Sequence, residues 1–216
     1  MIFRLTSGLR NGIVDALGTK VDGGAGAGTI KVYTADTGTA ITNATWSGGV
    51  ATITSTSHGL VVGDFVDVSG VTPTGYNVRK VVATVPGANS FTIPITSDPG
   101  AYSSGGTAAK AMPTTAADAV IGTLLATLTF ADPSFGAGSS GTATANAIVD
   151  DSSADATGTA SYARIEDSTG ADVMDVDITA TGGAGGITFN TIAFQITKTV
   201  SMDSFTFTCP ATMTDL

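Results

Sequence analysis

A chain of 216 residues suits one domain of ordinary size, or one small domain carrying another. Its 18 Asp and Glu against 9 Lys and Arg argue against a general nucleic-acid binder, and 42% hydrophobic with only 12% charged residues argues against disorder. One cysteine, Cys209, and one histidine, His58, exclude an intrachain disulfide scaffold, a multi-cysteine zinc site and most histidine-based catalysis.

The N-terminus lacks the continuous apolar core of a signal peptide, and no apolar run approaches the roughly 20 residues of a membrane helix, so a soluble, non-exported chain is expected. Charge is uneven: residues 1–110 hold six acids and seven bases, residues 111–216 twelve acids and two bases. Glu166 is the one glutamate, and a preference for Asp over Glu fits a loop-rich β protein.

One helix is predicted near the N-terminus. Ser7 is its N-cap, Leu9, Ile13 and Leu17 form a stripe that Val14 widens, and Gly18 is the stop, with Gly12 a weak point inside. The stripe either packs on its own domain or docks on a neighbouring subunit. Gly23–Gly28 reads as a flexible joint.

Everything after it reads as strands: Thr29–Thr34, Leu124–Phe130, Thr142–Val149, Ser161–Glu166 and Val173–Thr179 around the turn Asp167–Gly170, then Ile187–Ile196 and Val200–Cys209. Between the first two lie short strand signals at Thr45-Trp46, Val50–Ser55, Asp64–Val68, Lys80–Val85 and Ser90–Ile95, with Ser103–Ala109 and Pro113–Ala117 as a return linker. The expected fold is therefore all-β. A β-sandwich or jelly-roll-like domain, residues 1–43 plus 110–216, carries one short N-terminal helix and hosts a small β-barrel-like module at 44–109.

Residues 50–108 carry His58-Gly59-Leu60, Gly63-Asp64, Pro73-Thr74-Gly75-Tyr76-Asn77 and Ser97-Asp98-Pro99-Gly100-Ala101-Tyr102. This combination resembles small β-modules common in virion proteins of tailed bacteriophages. The flanks carry Leu5–Asn11, Gly28-Thr29-Ile30-Lys31-Val32-Tyr33, Gly122-Thr123-Leu124-Leu125 and Phe130–Gly136. They are similar to a second phage-associated pattern, in which Ile-x-Val/Ile-Tyr is followed after a short loop by Gly-Thr-Leu-Leu. Together the resemblances cover most of the chain and imply a virion structural protein.

A nucleophile would need a base beside it, yet His58 lies in a turn and Cys209 closes a strand. Asp150, Asp151, Asp155, Asp172, Asp175 and Asp177 could offer oxygen ligands to a structural Ca2+ or a carboxylate pair. Alternation instead puts Asp175 and Asp177 on one solvated strand face, and no EF-hand-type loop is present. Gly23–Gly28 lies between a helix and a strand, the reverse of a phosphate loop, and Gly182–Gly186 reads as a loop. Trp46, Tyr76 and Tyr102 form either a weak glycan-binding platform or the core of the module.

No catalytic, cofactor or metal residues are assigned, and no enzyme, nucleic-acid or membrane role is expected. The resemblance does not place such a protein on head, neck or tail; the preferred expectation is a capsid decoration (cement) protein, a homo-oligomer with a trimer favoured. It would bind the major capsid protein or other virion subunits, with assembly in the host cytoplasm. Leu9, Ile13 and Leu17 are its candidate docking residues. A tail or neck component, or a carbohydrate-binding adhesion module, is the alternative.

Overall fold

The computed structural model describes residues 2–183 and 186–214. The chain opens with β1 (Ile2–Arg4), α1 (Ser7–Val21) and β2 (Thr29–Thr34). It continues through β3 (Thr39–Ser47), β4 (Val50–Ser55), β5 (Phe65–Ser69), a 3-10 turn at Thr74–Tyr76, β6 (Arg79–Val81), β7 (Thr84–Gly87), β8 (Ser90–Pro94) and β9 (Thr107–Lys110). Then come β10 (Leu124–Phe130), β11 (Thr142–Thr144), β12 (Ile148–Val149), β13 (Gly158–Glu166) and β14 (Asp172–Ala180). The last strands are β15 (Ile187–Phe189), β16 (Ala193–Phe194), β17 (Thr206–Thr208) and β18 (Thr212–Thr214). The fold is all-β, with one α-helix among the described residues, as the sequence predicts.

The chain divides into two compact units, residues 1–33 with 124–216, and residues 34–123. The division lies outside the expected limits of 44 and 109 for a physical reason at each end. β3 begins at Thr39, so a limit at 44 would cut a strand in two. The stretch Ser103–Ala109, read as linker because its residues are small, runs into β9, which lies between β5 and β3 in a sheet and buries Ala108.

In the first unit the principal sheet runs β12-β10-β2-β13-β14-β15, with β16 on β13. β2 and β10 are antiparallel, with Leu124 opposite Tyr33 and Leu128 opposite Ile30. Alternation turns Ile30, Val32, Ala126 and Leu128 inward, where they meet Ile165, Phe130 and Phe205 in one core. The predicted hairpin around Asp167–Gly170 is present as β13 and β14, antiparallel with Arg164 opposite Asp175. Three predicted strands are shorter than expected. Thr142–Val149 breaks into β11 and β12, Ile187–Ile196 into β15 and β16, and only Thr206–Thr208 remains of the last.

The helix packs on this same core. Thr6, one residue before the predicted cap, accepts a hydrogen bond on its Oγ1 from Leu9 N (3.3 Å). Gly18 does not end the helix; it is buried inside it, facing Phe135, and the helix runs on to Val21. Nor is Gly23–Gly28 a free joint. Ser168 N donates to Gly23 O (3.1 Å) and Gly26 N to Ser168 Oγ (3.2 Å). A Cβ on Gly28 would stand 2.6 Å from both Glu166 O and Val21 Cγ1, so glycine is needed there for close approach.

The second unit is one seven-stranded sheet in the order β6-β5-β9-β3-β4-β8-β7. Its two edge strands, β6 and β7, are consecutive in the chain with only Val82 and Ala83 between them. The sheet therefore curls enough to bring the end of β6 to the start of β7, around a core that includes Ile53, Val66, Tyr76, Phe91 and Ile93.

Candidate functional site

In the 34–123 unit, β3 carries an irregularity: Ile41 pairs with Ser55 and Asn43 with Thr54, so one residue is extra. Such a bulge shifts which residues face inward. Beyond it Ala44 is buried and Trp46 half-buried, while Asn43 and Thr45 are exposed. β9 pairs with β3 only at Thr39 and Ala40, so the later part of β3 is laddered to β4 alone.

That open stretch and the segment Asp98–Tyr102 enclose a pocket of about 360 Å3 lined by Asn43, Thr45, Trp46, Tyr76, Asp98 and Tyr102 among others. The structure thus brings the three predicted aromatics together. Each is tethered by its polar atom. Trp46 Nε1 donates to Ile95 O (2.7 Å), Tyr76 Oη to Gly100 O (3.0 Å), and Tyr102 Oη lies 3.0 Å from Ile41 O and 3.1 Å from Gly105 O. Tyr76 is 1% exposed and belongs to the core, while Trp46 and Tyr102 are partly open. Burial, and then the charge of Asp98, pushes the Tyr76 phenol above its ordinary value.

The remaining motif residues of this unit hold turns. Leu60 N donates to His58 Nδ1 (3.0 Å), which leaves Nε2 to donate to Gly87 O (3.2 Å), and the ring packs edge-on to Phe91. Asn77 closes on Val71 through both its amide atoms, and Asp64 accepts from Val61 N (2.8 Å) and from Thr114 Oγ1 (2.7 Å) beside Lys110. In the other unit Cys209 is buried and free.

The predicted docking residues separate. Val14, Gly18 and Val21 are the buried face of α1, and Leu17 packs against them on the core. Leu9 and Ile13 lie off that face at 55% and 36% exposure. Polar residues fasten the helix: Arg10 Nε donates to Cys209 O (2.8 Å), Gly141 N to Asn11 Oδ1 (2.7 Å), and Gly138 N to Asp15 Oδ1 (2.6 Å).

The acids do not form the solvated face the alternation suggested. The Asp175 side chain is 4% exposed and takes a bidentate pair from Arg164, Nε to Oδ1 (2.8 Å) and Nη2 to Oδ2 (2.8 Å). Asp172 Oδ2 accepts from Arg164 Nη1 (3.2 Å). Nearby Lys31 pairs with Glu166 (2.6 Å) and Tyr33 stacks on Tyr162 at 5.2 Å. The hydrogen bonds of Asp175 hold the guanidinium proton more tightly than usual, against the opposing pull of burial. Asp177 accepts from Gly186 N, and Asp151 from Thr127 N and Ser153 N. Among the described residues no group of three or more His, Cys, Asp or Glu is placed to hold a metal ion.

One feature was not foreseen in the sequence. A cleft of about 590 Å3 opens beside β15 and β16, lined by Phe189, Phe194, Gln195 and Lys198 among others. Its lining includes the residues where the expected strand Ile187–Ile196 breaks between β15 and β16, and nothing in composition marks that break. No known protein family, characterised protein or solved structure matches the chain.

Proposed function

We propose that the chain is a non-enzymatic structural protein of a tailed-phage virion, a capsid decoration protein seated as a symmetric oligomer on the outer head surface. One observation carries this reading. The segments Gly28–Tyr33 and Gly122–Leu125 belong together in the phage-associated pattern, and here Tyr33 lies opposite Leu124 with residues 34–123 folded between them. A short loop of the pattern has been replaced by a β-unit that itself resembles phage modules.

The chemistry of the described residues agrees with an adhesive role. His58 spends one ring nitrogen on its own turn and the other on Gly87 O of β7, and Asp172 and Asp175 of β14 are held by Arg164. Leu9 and Ile13 stand out from a helix that is otherwise fastened down, which suits a contact with a neighbouring capsid subunit. The excess of acids in the second half disfavours DNA and suits an exterior position.

The test is gold-tagged antibody against the chain on purified virions under the electron microscope. Gold scattered over the head is the expected result. Gold confined to tail or neck would move the protein there and keep the structural class; no gold on virions would overturn the proposal.

A further inference from the structure

We infer that the pocket between β3 and the Asp98–Tyr102 segment binds an uncharged hexose or N-acetylhexosamine unit of a glycan. The pocket is built from the 34–123 unit alone, so this inference stands apart from the virion reading.

A pyranose ring offers an apolar face of C–H groups and a rim of hydroxyls that both donate and accept. The pocket offers the complement. Trp46 and Tyr102 have turned their polar atoms into the fold, toward Ile95 O, Ile41 O and Gly105 O, so what they present to the opening is ring carbon. Those same hydrogen bonds fix both rings before any ligand arrives, which reduces the ordering cost of binding. Around them stand the exposed amide of Asn43, the hydroxyl of Thr45 and the carboxylate of Asp98. Asp98 Oδ1 accepts from Gly100 N (2.8 Å), which sets the orientation of the carboxylate at the rim.

A volume of about 360 Å3 lies at the small end of ligand sites. The opening is shallow, so the affinity is weak, with Kd on the order of 1 mM. Asp98 repels carboxylates, so sialylated and uronic sugars are excluded by charge.

Trp46 is the chain's single tryptophan and so reports directly on its own site. The full chain is titrated with lactose, maltotriose, chitotriose, a sialylated lactose and choline while the indole emission is followed. The expected result is a saturable change with at least one of the three neutral sugars and none with the sialylated one. Asn43→Ala, an exposed change, should weaken that response about tenfold with Tm unchanged. Tyr102→Phe keeps the ring but loses both of its tethers, so it should weaken the response without abolishing it. A response to choline alone would overturn the inference in favour of a cation site. So would no saturable response to any neutral sugar, or an unaltered response in Asn43→Ala.

Discussion

Tyr33 and Leu124 stand opposite each other in an antiparallel strand pair although residues 34–123 intervene, and Thr34 N donates to Thr123 O (3.0 Å) just beyond them. Thr123 N in turn donates to Thr34 Oγ1 (2.9 Å). Entry and exit of the inserted unit are thus adjacent. Replacing residues 34–123 by an Asn-Gly turn should leave a folded host with its β2–β10 hairpin intact. Residues 34–123 expressed alone should also fold, since they hold their own core. Circular dichroism and amide NMR dispersion check both; an unfolded host would show that its sheet depends on the insert.

The pairing of Arg164 with Asp175 joins two side chains exposed to only 2% and 4%. Arg164→Ala leaves the carboxylate buried without its partner and should cost about 3–5 kcal/mol in urea unfolding. The double change Arg164→Met with Asp175→Leu should recover most of that loss. A loss of less than about 1 kcal/mol in the single variant would mean that the pair is solvated in solution.

Two glycines should respond with opposite sign. Gly12 lies on the exposed side of α1 with nothing within 4 Å of an added Cβ, so Gly12→Ala should stabilise by about 0.5–1 kcal/mol. Gly28→Ala drives its methyl into the carbonyl of Glu166 and should destabilise. Thermal melts of the two variants check both signs, and a stabilised Gly28→Ala would mean that the Gly tract can move away from Glu166 at no cost.

Exposure divides the helix into two sets of apolar residues. Leu9→Asp with Ile13→Asp should leave Tm close to the parent, while Val14→Asp, fully buried, should unfold the first unit. On the proposed function, the exposed pair should also block incorporation into virions, read by copy number on purified particles. Incorporation at the parental level would remove this face from the capsid contact.

Burial pushes the Asp36 carboxyl above the usual carboxylate range, against the opposing pull of the Gly38 and Lys110 amides and the Lys110 charge. Between the unfolded and the raised folded value, the native state holds a proton that the unfolded chain has released. The stability contributed by Asp36 is therefore present at low pH and is lost as pH rises through that window. Asp36→Asn keeps the Oδ1 acceptor for Gly38 N and Lys110 N. It should equal the parent in acid and exceed it at neutral pH. A neutral-pH loss would show that attraction to Lys110 outweighs burial.

Periodicity made most of the fold legible. Thr29–Thr34, Leu124–Phe130 and Val50–Ser55 occur where β-branched alternation predicts them. What misled was small residues: Thr107–Lys110 is a central strand written in Thr, Ala and Lys, and Gly18 is a packing contact that looks like a helix stop. Asp175 and Asp177 alternate as a wet face would, yet Asp175 meets Arg164 from the neighbouring strand, and no reading of β14 alone contains that partner. Trp46, Tyr76 and Tyr102 are legible as rare aromatics; that they share one pocket follows a bulge in β3, which the sequence does not announce.

The adjacency of Thr34 and Thr123 has an entropic consequence for the host. Closing β2 on β10 through a slack chain as long as the insert would cost about 3 kcal/mol more than closing it through a tight turn, at roughly 0.6 kcal/mol per doubling of length. The folded insert removes that difference, because its two ends are already hydrogen-bonded to each other. Substitutions that melt the insert return the slack to the hairpin and lower the stability of a core they never touch. A crippled insert is therefore worse for the host than no insert at all.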